Sequence, residues 1–124
     1  MGANAEFKSF RAASDIAPNT IVKFTTTAGE VAPATAPTDR IAGVTDNVPV
    51  SAGQMVDVAI EGVLLVKAGG TIVAGDPLTA DSSSKAVAAT FTAGQTKFVI
   101  GRALAPAVVN DRVAFQVAPS VIAG

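Results

Sequence analysis

Short runs of alternating hydrophobic and polar residues, separated by glycine and proline, dominate the sequence. The clearest run lies at residues 56–61, where Val56, Val58 and Ile60 occupy every second position. Because successive side chains in a strand point to opposite faces, these three are predicted to face a core, and the residues between them to face away from it. The run therefore predicts a half-buried β-strand.

Other segments carry the same signals. Residues 21–25 and 41–44 are rich in β-branched residues, and residues 97–100 and 112–117 alternate as residues 56–61 do. The candidate core residues of the last two segments are Phe98, Ile100, Val113, Phe115 and Val117. No segment sustains a helical period for long, so the sequence predicts an all-β fold.

Glycine and proline mark the connections. Residues 32–40 contain Pro33 and Pro37, which predicts a surface loop because proline cannot donate to a central ladder. An Ala-Gly pair followed by Gln or Asp occurs three times at unequal spacings, which indicates a reused turn and not a solenoid repeat. In these turns glycine is expected to supply a positive φ. The three glycines of these pairs are Gly53, Gly75 and Gly94.

The composition points to a thin core. The chain has 124 residues, which suits one domain, and 49% of them are hydrophobic but only 5% aromatic. Most apolar side chains are thus small, and at about 25 cal/mol per Å² each contributes little on burial. We therefore expect the domain to gain stability by associating with copies of itself or with a larger assembly.

Charge and residue usage exclude several classes of function. Lys and Arg number 9 against 10 Asp and Glu, with no basic stripe, so no nucleic-acid partner is predicted. The chain has no Cys and no His, which removes thiol and imidazole chemistry. The strongest apolar run, Gly62–Val66, is far below the roughly 18 residues that cross a bilayer, so no membrane partner is predicted either.

Two weak chemical motifs meet at one segment. Ser82 and Lys85 have the S-x-x-K spacing of serine acyl-enzymes, and Lys85 occupies a predicted hairpin like the modified lysine of lipoyl and biotinyl carrier domains. The acidic or methionine neighbour of those carriers is replaced here by Ser84 and Ala86. A serine hydrolase and a carrier are remote alternatives, and a solvated hairpin loop is favoured. The aspartates lack calcium-loop spacing, and we predict no catalytic, metal-binding or cofactor-binding residues.

The first 13 residues differ from the rest. They contain Phe7 and Phe10 beside alternating charges, although chain termini are usually loose unless tied down. Residues 1–13 are therefore predicted to form an extended arm and residues 14–124 a single β domain. Two alternatives stay open for the phenylalanines: they dock on another protein, or they fold back onto their own domain.

A succession of short elements covers nearly the whole chain after the arm. The elements are Asp15–Pro18, Ile21–Phe24, Ile41–Thr45, Ala52–Gln54, Val56–Val63, Ile72–Thr79, Lys85–Val87 and Val99–Leu104. In order and spacing they resemble the head decoration, or cement, proteins of tailed bacteriophages. The resemblance implies a compact bent β-ribbon or β-clip-like fold, or a small β-barrel, with an extended N-terminal arm.

The same resemblance implies a function without catalysis or cofactors. Members of such families bind the outer surface of the head as homotrimers and bridge subunits of the major capsid protein. The chain is thus expected on the capsid exterior of the virion, and in the host cytoplasm during assembly; a tail or baseplate accessory subunit is the nearest alternative. If an arm reaches the shell, its expected contact residues are Glu6, Phe7, Lys8, Phe10 and Arg11.

Overall fold

The fold is all-β. The computed structural model describes residues 4–90 and 93–123. These ranges contain strands and no helix, and therefore no helix long enough to cross a membrane. The strands are β1 (Asn4–Ala12), β2 (Ile21–Phe24), β3 (Glu30–Pro33), β4 (Ile41–Thr45), β5 (Met55–Lys67), β6 (Pro77–Ala80), β7 (Ala86–Ala88), β8 (Thr96–Ala103) and β9 (Arg112–Ala123).

The first five strands close into a small barrel. Their order is β1-β3-β2-β4-β5, and β1 also pairs with β5, which completes the ring. The β1–β3 pairing is parallel, and the other pairings are antiparallel. The interior is a cluster of small apolar side chains with one aromatic ring: Phe10, Ala12, Ile16, Val22, Val31, Ala42, Val56 and Val58. The expected all-β class is confirmed, and a small barrel is the form it takes.

The second half of the molecule grows from the end of β5. The segment from Gly62 to Lys67 pairs with β9, and the sheet continues through β8, β6 and β7. A bridge between Ala68 and Ala86 brings β7 back beside the end of β5. A larger cluster fills this half, and Phe115 is its largest fully buried side chain. Strand β5 thus serves both halves.

The alternation along β5 reverses where β1 crosses it. Val56 and Val58 are buried as expected, but Ile60 is 40% exposed and Ala59 is fully buried. In the register, Glu6 lies opposite Glu61 while the next residue, Phe7, lies opposite Ala59, so Ile60 is an extra residue. Such a β-bulge shifts every following side chain to the other face. The prediction that Ile60 faces the core is therefore wrong.

The predicted arm is extended but not free. Residues 4–12 are strand β1, which pairs with β5 from Asn4 to Arg11, and residues 1–3 lie outside the described ranges. Phe10 is 7% exposed and lies within the barrel. Phe7 is partly buried against the larger cluster, which fills the second half of the molecule. Of the two alternatives for these rings, the structure has both folded back onto their own domain.

Two smaller predictions also need correction. The loop expected at residues 32–40 begins later, because residues 32 and 33 end strand β3. Pro33 is tolerated there because it pairs with β2 alone, beyond the last residue that β3 shares with β1. Phe98 is only half-buried, whereas the other four core candidates in β8 and β9 are buried. The three turn glycines have φ between 81° and 93°, as expected.

Candidate protein-docking surface

Strand β1 carries exposed polar side chains on both of its sides. Ser9 and Arg11 lie opposite Asp57 and Met55, away from the barrel interior, whereas Lys8 lies opposite the buried Val58, on the same side as Phe10. The β1 face is the set of these exposed positions: Glu6, Lys8, Ser9 and Arg11. It contains three of the five predicted contact residues, while the two phenylalanines pack toward the interior of their own chain.

Exposed apolar residues lie next to the β1 face. Arg11 is directly opposite Met55 on β5, and the Ser9 hydroxyl donates a hydrogen bond of 2.8 Å to Asp57 on the same strand. Met55 and Val48 are each 59% exposed. They line a shallow hollow of about 140 Å³ together with Asp46, Val50, Val56 and Asp57. Ser9 and Arg11 of the β1 face therefore adjoin this hollow.

An exposed aromatic ring lies near the same strand. Phe24, the last residue of β2, is 50% exposed, and its ring meets Phe10 edge to face with centroids 6.0 Å apart. Phe24, Met55 and Val48 were not among the contact residues predicted from the sequence. For Met55 the signal was present, because a residue adjacent to the buried Val56 on a strand must point outward.

The charges on this surface are mixed. Lys8 and Arg11 supply positive charge, while Glu6 lies directly opposite Glu61 across the β1–β5 pair. Like charges that face each other across strands destabilise a sheet, so this acidic pair adds no stability to the fold itself. A surface of exposed apolar side chains edged by both charge signs has the composition of a protein–protein contact.

The segment with the weak chemical motifs is a hairpin turn, as predicted. Ser82 and Lys85 lie between β6 and β7, where the Lys85 ammonium donates a 2.9 Å hydrogen bond to the side-chain oxygen of Asn110. An S-x-x-K nucleophile needs a helix to place its lysine, and this segment is a turn. Across residues 4–90 and 93–123, no three acidic side chains gather where they could share a metal ion.

Comparison with known proteins identifies the family of this chain. Residues 8–118 match the family model of phage cement proteins. The chain belongs to this family. It is therefore a structural protein of a phage head, and the surface around β1 is a candidate contact with other head components. No curated protein matches the chain.

A solved structure shares the fold of this cement protein. The crystal structure of the head fiber gp8.5 N base in bacteriophage phi29 is 21% identical in sequence and superposes with a TM-score of 0.69. The likeness covers 91% of this chain and 93% of the phi29 chain. The fold of this chain therefore also occurs in a head fiber protein of phi29.

Proposed function

We propose that this cement-family chain binds the outer surface of a phage capsid as a homotrimer and stabilises the head by bridging subunits of the major capsid protein. Family membership over residues 8–118 is the observation that supports it most strongly. The β1 face and the adjoining hollow at Met55 and Val48 form the capsid contact. Within it, Glu6, Lys8 and Arg11 supply charge pairs, and the apolar side chains supply buried area.

A second surface supports self-association. On the outer side of the second half, Leu65 lies opposite Ala114, and the amide of Leu104 donates to the carbonyl of Ala114 at 2.9 Å. Leu65 and Leu104 are 40% and 45% exposed. Val108 and Val109, at 57% and 56%, add further apolar area in the same half. Burial of this surface between copies would offset the small size of the core residues.

The two surfaces act together. Three capsid contacts on one trimer raise the effective concentration of each, so individually weak contacts give tight binding overall. Catalysis has no part in this function. The stabilisation comes from one trimer contacting more than one capsid subunit, which then cannot separate without breaking those contacts.

The capsid contact is tested with purified chain and undecorated phage heads. We expect the wild type to sediment with heads, and the double variant Lys8→Glu with Arg11→Glu to bind at least tenfold more weakly. Arg40→Glu with Arg102→Glu, which reverses the same number of exposed charges outside the β1 face, is the matched control and should bind normally. If the wild type does not sediment with heads, the proposal is refuted. If it binds phage tails instead, the result favours the alternative of a tail or baseplate accessory subunit. Equal binding of the double variant refutes only the role of the β1 face.

The trimer is tested by sedimentation velocity. The wild type should sediment as a trimer, and Leu104→Glu should sediment as a monomer because a charge cannot be buried in the apolar contact. Val121→Glu is the control, since Val121 is 54% exposed on a different part of the sheet. A monomeric wild type at the concentrations used for head binding would rule out the trimer.

A further inference from the structure

A polar groove shares no lining residue with the β1 face or with the hollow at Met55 and Val48. It has a volume of about 190 Å³ and lies between the loop before β2, the β6–β7 turn and the start of β9. We call it the cation groove, because three of its lining residues are Lys67, Lys85 and Arg112. The other lining residues are Ala17, Pro18, Asn19, Thr20, Ser83 and Ser84.

The positive charges of this groove form no ion pair within 4.0 Å. Lys67, the last residue of β5, is directly opposite Arg112, the first residue of β9. Two cations in that position repel each other. In the part of the chain that the structure describes, the one cation–carboxylate pair within 4.0 Å joins Lys23 to Asp39, neither of which lines the groove. The arrangement costs stability unless an anion enters.

The acidic residues beside the groove are engaged elsewhere. The Asp81 carboxylate accepts hydrogen bonds from the backbone amides of Ser83 and Lys85 at 2.8 and 3.0 Å, which shapes the β6–β7 turn. The Asp111 carboxylate accepts the amide of Val108 at 3.1 Å. The neutral side chain of Asn110 is the hydrogen-bond partner of the Lys85 ammonium. Neither carboxylate therefore neutralises the groove by direct contact with its cations.

A buried polar atom points to more than a simple anion. Asn19 lines the groove, is 2% exposed and has a left-handed backbone with φ of 51°. Its Nδ2 donates a long 3.5 Å hydrogen bond to the carbonyl of Thr45, but its Oδ1 has no donor among the described residues. Buried acceptors in folded proteins almost always have a donor. A ligand with an N–H group beside its negative charge would supply one.

We propose that the cation groove binds an extended acidic segment of the shell protein that this chain decorates. In that complex an Asp or Glu carboxylate of the segment lies between Lys67, Lys85 and Arg112. Because Asn19 Oδ1 has less than 1 Å² of accessible surface, the Asn19 side chain turns toward the groove when the segment binds, and a backbone N–H of the segment then donates to Oδ1. A peptide provides both groups in one ligand, whereas a bare carboxylate provides only the first. The identity of the partner rests on the proposed function; the chemistry of the groove rests on its own residues.

The groove is tested first without heads, by titrating ¹⁵N-labelled protein with a short acetylated peptide of alternating Asp and Gly. We expect shifts of the amide signals of Asn19, Lys67, Lys85 and Arg112, and none with the matched Asn–Gly peptide. The double variant Lys67→Gln with Arg112→Gln should bind at least tenfold more weakly. Arg40→Gln with Arg102→Gln, which removes the same charge outside the groove, should bind normally. Absence of shifts in the wild type overturns the proposal.

The role of Asn19 needs its own variant. Asn19→Gly keeps the left-handed backbone accessible and removes Oδ1 together with the Nδ2 hydrogen bond to Thr45, so we expect a lower melting temperature and, at a temperature where the variant is still folded, severalfold weaker peptide binding. Unchanged affinity would overturn the proposed N–H contact. If inorganic phosphate competes as strongly as the acidic peptide, the groove is a general anion site, and the proposal of a peptide ligand is overturned.

Head binding then separates this inference from the proposed function. If the wild type binds heads and the Lys67→Gln, Arg112→Gln variant binds tenfold more weakly, both stand. If the two proteins bind heads equally, the groove does not contact the shell, although the proposed function survives. If the wild type does not bind heads, the proposed function fails, and the shell protein is excluded as the source of the segment even where the acidic peptide binds.

Discussion

The two halves of the molecule share strand β5 but are closed in different ways. The barrel is completed by β1, a strand from the beginning of the chain that pairs with β5 about fifty residues later. The second half is built mainly from β5, β8 and β9, and its largest fully buried side chain is Phe115. Among the described residues, the only aromatic side chain of the barrel interior is Phe10, which the closing strand itself contributes. The barrel therefore depends on one distant segment for both closure and core.

The largest effect is expected when that segment is removed. Deletion of residues 1–13 leaves β3 and β5 without their shared neighbour and exposes the apolar interior around Val56 and Val58. We expect amide hydrogen exchange to show lost protection in β2–β4, while β8 and β9 keep theirs. The variant Lys8→Gln with Arg11→Gln, which keeps the whole of β1, is the control and should leave protection intact. Equal loss in both halves would show that they unfold as one unit.

This deletion also bears on how capsid binding is measured. Because residues 4–12 are part of the barrel, a truncated chain that fails to bind heads has lost its fold as well as its β1 face. Substitutions of the exposed residues Lys8 and Arg11 leave Phe10 and Ala12 in place, and so separate binding from folding.

The next largest effect concerns a close backbone contact in the second half. A Cβ atom at Gly101 would overlap the carbonyl oxygen of Gln116 on β9, so the β8–β9 pair would have to separate. We expect Gly101→Ala to lower the free energy of unfolding by on the order of 3 kcal/mol, measured by urea denaturation. In the barrel the counterpart is Gly43, whose Cβ would overlap the carbonyl oxygen of Ala59.

The control for steric contact is a glycine with open space around it. Gly53 has φ of 85°, and a Cβ atom added there would meet no atom within 4 Å, so Gly53→Ala meets only the backbone penalty of about 1 kcal/mol. If Gly101→Ala is no more destabilising than Gly53→Ala, the close β8–β9 approach does not limit stability. If Gly43→Ala lowers the free energy of unfolding less than Gly101→Ala does, the barrel accommodates an added methyl group at lower cost than the second half.

An intermediate effect tests the bulge at the junction of the halves. Strict alternation predicts that Ile60→Ser is costly and Ala59→Ser harmless, whereas the register predicts the reverse. We expect Ala59→Ser to cost about 1–3 kcal/mol, because its hydroxyl is buried without an assigned partner. Ile60→Ser should change stability by about 0.5 kcal/mol, as is usual for exposed positions. Thermal unfolding of the two variants decides between the patterns.

The sequence predicted the local features of this fold and missed the distant ones. Alternation identified Val56, Val58 and most of the core of β8 and β9, and glycine identified the turns. These signals depend on neighbouring residues only. The bulge at Ile60 depends on which strand lies beside β5, and the closure of the barrel depends on a pairing between segments far apart in sequence, so neither leaves a local pattern.

For the same reason, the sequence indicated only in part which residues of the candidate docking surface are exposed. The charges of Glu6, Lys8 and Arg11 are exposed, as a contact requires, because hydrophilic residues stay in solvent in either arrangement of the first segment. The places of Phe7 and Phe10 depended on whether that segment folds back, which its composition could not decide. The cation groove combines residues from positions 17 to 112, and only the folded chain brings them together.

The smallest effect is expected from the one ion pair among the described residues, which lies in the barrel. Lys23 Nζ is 3.7 Å from Asp39 Oδ2, and both side chains are partly exposed. Because water and salt screen such a pair, Lys23→Gln should cost about 0.5 kcal/mol or less, and the loss should shrink at high salt. Asp39→Ala should cost more at any salt concentration, since the same oxygen accepts the amides of Thr35 and Ala36 at 2.9 and 3.2 Å. Equal losses for the two variants in urea denaturation would mean that the ion pair, and not the turn it adjoins, stabilises this edge of the barrel.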